Sequence, residues 1–429
     1  MKLRTALALS MLAFCVTLQA QLSKTEKKII AEVSKNNAEA LKFLEANVNI
    51  NSGTMNFEGV RAAAVPFEKA FADLGLSVTW YDMPEEVNRA GHLFAENKGT
   101  KGKRLLLIGH LDTVFPKDSP FQKWQKQDSI AWGPGANDMK GGNVVILYAL
   151  KALHAVDALE DTQIIVALHG DEEASGKPIS ESRKHIREAA QRSDIALGFE
   201  TSTGFNNATI ARRGSSGWEL KVTGKRAHSS GIFNERVGAG AIFETSRILH
   251  QFYTDVKGEQ YLTFNPGVIL GGTKVDFDNL LERGTAFGKS NVVAQEVIVT
   301  GGLRFITEEQ KENARAKMRE IVKNNLPQTS AEISFIDSYP AMPPTDGNQK
   351  ILAALSEVSE DMGQGPVEAW DPGRRGAADI SFVAEFVDGI DGLGTMGRGA
   401  HTPQEYLDLR TVEVLTQRAA VLIYRLTRD

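Results

Sequence analysis

Leu105-Leu106-Leu107-Ile108-Gly109-His110-Leu111-Asp112-Thr113 opens with four consecutive aliphatic side chains and then turns polar at a histidine. A run of that kind leaves no polar face for water, so it reads as a strand covered on both sides. Strands of this type belong to open α/β sheets, which keep their ligand sites at the carboxyl ends of the strands. His110 is thereby placed at the sheet edge. Asp112, two residues on, points the same way and is able to accept the second ring N–H of a metal-bound imidazole.

Toward the amino terminus, helical spacing over residues 22–48 and 57–74 precedes short strand patterns at 77–81 and 91–96. Toward the carboxyl terminus come a helix over 142–153 and strands at 163–169 and 195–199. Strands alternating with helices predict an α/β layer architecture. After Ala211-Arg212-Arg213-Gly214 the pattern changes to a strand (217–222), a long helix (237–256), two strands (261–270 and 291–306), a helix (308–325) and a strand (331–336). That order is βαββαβ, a ferredoxin-like unit. Helix and strand alternation resumes beyond Pro343 and Pro344. Residues 21–214 and 342–429 are therefore expected to form one discontinuous domain, with 215–341 inserted into it.

Lys2, Arg4, an apolar run over residues 6–18 and small residues leading to Ala20 have the pattern of an export leader at 1–20. The run is shorter than the ~20 residues a bilayer requires, so no membrane anchor is expected after cleavage. Phe14 before Cys15 argues against lipidation. Cys15 is the single cysteine, and with the leader gone no thiol remains for a disulfide, a nucleophile or a metal. The expected location is secreted, in the periplasm. The net charge is −5 before Lys2 and Arg4 leave, and it is spread without long runs of one sign, which excludes nucleic acid as a natural partner. A chain of 429 residues that is 42% apolar exceeds one ordinary core and fits two domains.

Three further stretches carry chemistry. Gly133-Pro134-Gly135-Ala136-Asn137-Asp138-Met139-Lys140-Gly141-Gly142 surrounds one acid with four glycines, which permit the close approach and unusual dihedrals that a fixed carboxylate needs. The phosphate-loop spacing is absent from it. After the strand at 163–169, Asp171-Glu172-Glu173 sets three carboxylates side by side, a costly arrangement unless a cation or a shared proton relieves it. One of these glutamates can bind metal while its neighbour acts as general base on a metal-held water. Glu200 follows the next strand, and His401 lies in the glycine-flanked loop Gly397-Arg398-Gly399-Ala400-His401-Thr402-Pro403, with Glu405 beyond it. Nitrogen and oxygen donors without sulfur suit zinc, with cobalt or manganese as substitutes, and two ions sharing one carboxylate account for the number of ligands.

In this order, His110-x-Asp112, Gly133-Pro-Gly-x-x-Asp138-x-Lys140-Gly-Gly, Asp171-Glu172-Glu173, Glu200 and His401 resemble the M20 family of metallopeptidases, in its glutamate carboxypeptidase branch. The resemblance implies a zinc-exopeptidase-like catalytic domain, a mixed sheet flanked by helices, with the 215–341 insert as lid and dimerisation domain. It implies two zinc ions per subunit bridged by Asp138, with His110 and Glu200 on one ion and Glu173 and His401 on the other. Glu172 would be the general base, Asp112 the residue orienting His110, and Asp138–Met139 a cis peptide. Gly224-Lys225-Arg226-Ala227-His228-Ser229 is similar to the family's Gly-x-x-x-His segment, whose histidine serves the active site of a neighbouring subunit, so a homodimer through the lid is implied. Asn291 and Arg304 fall where the family binds the substrate's terminal carboxylate. The implied activity is hydrolysis of the amide bond to a C-terminal amino acid, possible substrates being small peptides or N-acyl amino acids. An aminoacylase or an aminopeptidase on the same scaffold is the alternative within catalysis. A zinc- or ligand-binding protein that has lost turnover is the alternative outside it, although such a protein has no reason to keep Glu172. One departure concerns specificity: Tyr339 stands before Pro340-Ala341, where a glutamate-selecting member has arginine, and Arg374 and Arg375 are the candidates to supply that charge from another loop.

Overall fold

The computed structural model describes residues 22–279 and 281–428; the leader read at 1–20 lies outside them. Six strands form the main sheet in the order Ser77–Tyr81, His92–Lys98, Thr162–His169, Lys101–His110, Ile195–Gly198, Asp388–Ile390. The last four run parallel, and the first two are antiparallel to their neighbours, so the sheet is mixed.

The period of two along a strand explains how this sheet is covered. Leu105 and Leu107 point into one apolar cluster with Val144, Leu147 and Ala420, whereas Leu106 and Ile108 point into another with Ile186, Ala189 and Ile380. The first cluster is closed by the helices Lys24–Val48, Gly141–Ala155 and Arg410–Leu426, which pack on one another. Gly141–Ala155 is the most enclosed of them, buried from Gly141 to Leu153 except at Lys151, as expected for a helix with apolar residues all round. Lys24–Val48 starts at a capping box, with Ser23 and Glu26 each binding the other's backbone N–H at 3.2 and 2.6 Å. Among the described residues, no helix is long and apolar enough to cross a membrane.

The second sheet has the order Thr263–Gly272, Glu296–Phe305, Gly214–Gly224, Thr329–Asp337, with every pairing antiparallel. Helices Gly240–Gln251 and Glu308–Lys323 supply the two crossovers, and Trp218, Leu220, Val299 and Met318 belong to a cluster of its own. With chain order βαββαβ this is the ferredoxin-like arrangement expected from the sequence. The chain enters and leaves the unit side by side, where Arg212 and Met342 exchange both backbone hydrogen bonds at 2.9 and 3.0 Å.

Two features were not legible in the pattern. A hairpin, Lys274–Asp278 with Arg283–Phe287, joins the second and third strands of the unit. A small sheet of Gly397–Arg398, Tyr406–Asp408, Ile130–Trp132 and Gln125–Gln127 brings the loop of His401 beside the loop of Asp138. Its strands are two or three residues long, too short to show a period.

Leu107 is fully buried in the central strand. Leu107→Ala should lower the unfolding free energy by about 2–5 kcal/mol in urea titration, whereas the exposed Lys103→Ala should change it by less than about 0.5 kcal/mol.

Candidate metal centre

Three neighbouring parallel strands end at the same level and deliver the site. His110 lies opposite His169 in the register, so the residues that follow His169 carry Glu172 and Glu173 to the edge beside it. On the other flank Ile195–Gly198 ends two residues before Glu200. The Asp138 loop arrives from the side, turning at Gly135 with φ +70° and passing through a cis peptide at Asp138–Met139. Its shape is held by one side chain, Glu405, whose carboxylate accepts the backbone N–H groups of Gly135, Asn137 and Asp138 at 3.1, 2.9 and 3.0 Å. Lys140 closes the loop from behind, donating to the carbonyls of Asn47 and Ile50 at 3.0 and 2.8 Å in full burial.

The two oxygens of Asp138 face different imidazoles. Oδ1 is 3.5 Å from His110 Nε2, and Oδ2 is 3.3 Å from His401 Nε2. His110 Nε2 also stands 3.6 Å from Glu200, and His401 Nε2 stands 3.1 Å from Glu173. Donors bound to one tetrahedral ion at about 2.0–2.1 Å are separated by about 3.3 Å, so each side of Asp138 has ligand spacing. Donor atoms of His110, Glu172 and Glu200, and likewise of His110, Asp138 and Glu173, lie within 4.8 Å of one another. His110 Nδ1 is 3.1 Å from the carbonyl of Asp112, which makes it the protonated nitrogen. The buried Nε2 has no hydrogen-bond partner and faces Asp138 and Glu200. A buried imidazole nitrogen without a hydrogen-bond partner among carboxylates is a donor set that fits a divalent cation.

The electrostatics point the same way. Burial and the facing Glu200 push the Glu172 carboxyl well above its ordinary range. Burial and Asp138 push Glu200 up to about 7. Hydrogen bonds to Asp138 and Glu173 push the exposed His401 up to about 11. For His110 burial acts downward, but Asp112 and Asp138 outweigh it and hold the imidazole well above 6.5. Protons thus stand in for the positive charge that a cation would bring.

The Asp-Glu-Glu triplet divides its work. Asp171 turns inward to Arg183 at 2.5 Å and also accepts from Ser182 and Gly176, leaving Glu172 and Glu173 at the edge. Asp112 does more than the sequence indicated. Its carboxylate is 3.4 Å from His110 Nδ1, but it also accepts the backbone N–H groups of Glu172 and Glu173 at 3.0 and 3.1 Å and the Thr54 hydroxyl at 2.6 Å. One carboxylate therefore ties the His110 segment to the loop of Glu172 and Glu173.

His228, Asn291 and Arg304 are exposed on the second unit, and among the described residues no hydrogen bond or ion pair joins them to this cluster. Arg374 lies over the Trp370 ring, and Arg375 donates to the Thr201 carbonyl at 2.7 Å. Sequence reasoning missed Asp391, which accepts the Glu200 N–H at 3.3 Å and is ion-paired with Arg212 at 2.6 Å. Asp391 directly follows the strand Asp388–Ile390, the same strand-end signal that singled out Glu200. It also missed Asp379 and Arg183, a buried ion pair at 2.8 Å that no local pattern marks.

The model of peptidase family M20/M25/M40 matches residues 106–425. Carboxypeptidase G2 of Pseudomonas sp. (strain RS-16) is 29% identical, across 98% of this chain and 97% of its own length. A succinyl-diaminopimelate desuccinylase of Hydrogenovibrio crunogenus is 24% identical, across 91% of this chain and 98% of its own. The solved YXEP protein of Bacillus subtilis, a dinuclear metal binding peptidase, superposes with a TM-score of 0.63 at 15% identity, across 92% of this chain and 99% of that one.

Metal ligands must be deprotonated, and here Glu200 and His401 are held protonated up to about 7 and about 11 in the absence of a cation. Metal uptake should therefore release protons in weakly buffered solution, and affinity should rise with pH up to about 11, most steeply below about 7, where both groups must lose a proton. Glu405→Ala should weaken metal binding about tenfold to a hundredfold in competition with a chromogenic chelator, because the Asp138 loop loses the acceptor of its Gly135, Asn137 and Asp138 N–H groups.

Proposed function

Because the chain belongs to peptidase family M20/M25/M40 and is a hydrolytic enzyme of it, we propose a two-zinc exopeptidase of carboxypeptidase type, cleaving the amide bond to the C-terminal amino acid of small peptides or N-acyl amino acids. The observation that carries this reading is Asp138, with one carboxylate oxygen toward each of two imidazoles that have acidic companions of their own. On this reading Asp138 would be shared by the two ions, His110 and Glu200 would hold one, and Glu173 and His401 would hold the other. Zinc suits the nitrogen and oxygen donors, with cobalt or manganese able to replace it. When bound, such a pair supplies Lewis-acid polarisation of the scissile carbonyl and acidifies a water.

The remaining steps fall to the chain itself. Glu172 is the base: it takes the proton of the attacking water, and after the C–N bond breaks it delivers that proton to the leaving amine, so the carboxylate is regenerated. Asp112 orients His110 and fixes the backbone on which Glu172 sits. Arg304 and Asn291, on the 215–341 unit acting as lid and dimerisation domain, hold the substrate's terminal carboxylate by charge-assisted hydrogen bonds. His228 acts across a homodimer interface on the neighbour's scissile carbonyl. The export pattern at 1–20 places the mature enzyme in the periplasm.

A second reading, an N-acyl-amino-acid amidohydrolase, is favoured by the desuccinylase relative over 91% of this chain. A panel of C-terminally varied dipeptides, N-acyl amino acids and carboxyl-amidated controls, with and without zinc, separates the two. Carboxypeptidase action predicts cleavage of the dipeptides and loss of activity on amidation; cleavage of the N-acyl amino acids without the dipeptides would make the enzyme an amidohydrolase, and a preference for carboxyl-blocked peptides with a free amine would make it an aminopeptidase.

Glu172→Ala should lower kcat by about a hundredfold to ten-thousandfold while metal content, read by elemental analysis, stays near wild type. Loss of the metals would make Glu172 a ligand. His228→Ala dimers mixed with Glu172→Ala dimers should recover activity once subunits exchange. No recovery despite proven exchange would confine His228 to its own subunit.

A further inference from the structure

The chain returning from the second sheet leaves strand Thr329–Asp337 and passes Ser338 and Tyr339 before Met342 pairs with Arg212. At this crossing Ser215 N–H donates to the Tyr339 carbonyl at 2.8 Å, so the tyrosine backbone belongs to the second unit. Its side chain reaches into the first. The phenol donates to the carbonyl oxygen of Glu172 at 2.8 Å and meets Ser175 Oγ at 2.6 Å.

The direction of these bonds follows from proton counting. A phenol has one proton, and here it is spent on Glu172, so Ser175 is the donor to Tyr339. Ser175 Oγ in turn accepts from Arg183 Nη2 at 2.9 Å. A guanidinium has no acceptor, so the chain runs one way, from Arg183 through Ser175 and Tyr339 to the Glu172 carbonyl. Arg183 is itself fixed between Asp171 and Asp379 at 2.5 and 2.8 Å. The tyrosine ring packs against Phe382 with centroids 4.9 Å apart. Burial, with Glu172 nearby, holds the phenol above its ordinary range, so it stays a donor. Glu172 N–H is already taken by Asp112 at 3.0 Å, and Tyr339 fixes the other end of the same residue.

We propose that Tyr339 is a positioning residue for Glu172: its hydroxyl locks the peptide that carries the base, and it ties that peptide to the chain returning from the second unit. The inference rests on Glu172 being the base. It assigns to a residue at the crossing between the two units a role in the rate of the chemical step rather than in substrate binding.

The test is a double-mutant cycle on the zinc-loaded enzyme. Tyr339→Phe keeps the ring on Phe382 and removes only the hydroxyl. It should lower kcat about tenfold to a hundredfold, leave KM within about twofold, and leave metal content unchanged. Ser175→Ala, which removes the donor to the phenol, should give a smaller fall in kcat of the same kind. The double variant should be no slower than Tyr339→Phe alone, because both substitutions act through one hydrogen bond. A crystal structure of Tyr339→Phe should show the Glu172 side chain displaced or in two conformers, with His110 and Asp138 unmoved. Full kcat in Tyr339→Phe, a rise confined to KM, or additive losses would overturn the proposal; if Tyr339→Phe does not fold, unchanged kcat in Ser175→Ala overturns it. A wild-type enzyme inactive on every amide tested would instead sink the function proposed above, and then the position of Glu172 in the Tyr339→Phe crystal alone decides the structural claim.

Discussion

Like charge crowded at the edge of a sheet is the constraint around which this structure is organised. Asp138, Glu172, Glu173 and Glu200 converge within a few ångströms of two imidazoles, and burial removes the water that would screen them. Carboxylates in that situation must acquire protons or a cation. Both imidazoles are driven toward the protonated form and two glutamates are driven toward the neutral one, so the cluster is frustrated by its own construction. A fold selected for stability alone would not assemble it.

What holds the cluster is a surrounding layer of carboxylates whose hydrogen bonds go largely to backbone N–H groups. Glu405 collects three backbone N–H groups of the Asp138 loop, Asp112 collects two from the glutamate loop, and Asp391 takes the N–H of Glu200 while pairing with Arg212. Hydrogen bonds to charged groups are the stronger kind, and each of these fixes backbone rather than a mobile side-chain end. The central residues can therefore stay close together although they repel. Glu405 is itself pushed up to about 7 by burial, which shows that the cost is distributed into this layer and not removed.

The fold was legible where periodicity is long. The aliphatic run before His110, the helical spacing after Leu22 and the βαββαβ order after Gly214 all depend on many residues repeating one rule, and tertiary packing reinforced that rule. The convergence of the candidate site was legible where a polar residue directly follows such a run, as His110, the Asp-Glu-Glu triplet and Glu200 do. Asp391 carried the same signal on a strand of three residues and was passed over. Arg183 and Asp379 gave no signal, because their partnership spans nearly two hundred residues and lies inside the fold. Pairings at that distance are set by topology, which a local pattern does not encode. The small sheet beside His401 was missed for a related reason: its short strands are stabilised by what they pack against rather than by their own sequence.

Tyr339 joins these lines of reasoning. As a position in the sequence it marked only an absence, an aromatic residue where an arginine would explain a preference for glutamate. In three dimensions its ring lies on Phe382 and its hydroxyl points at the peptide of Glu172. An arginine there would present several donors and a permanent charge beside Arg183, and like charges in a buried setting would separate them. A tyrosine supplies one neutral donor to one carbonyl, which is what a site already rich in charge can accommodate. The residue that departs from the expected pattern is thus matched to its surroundings.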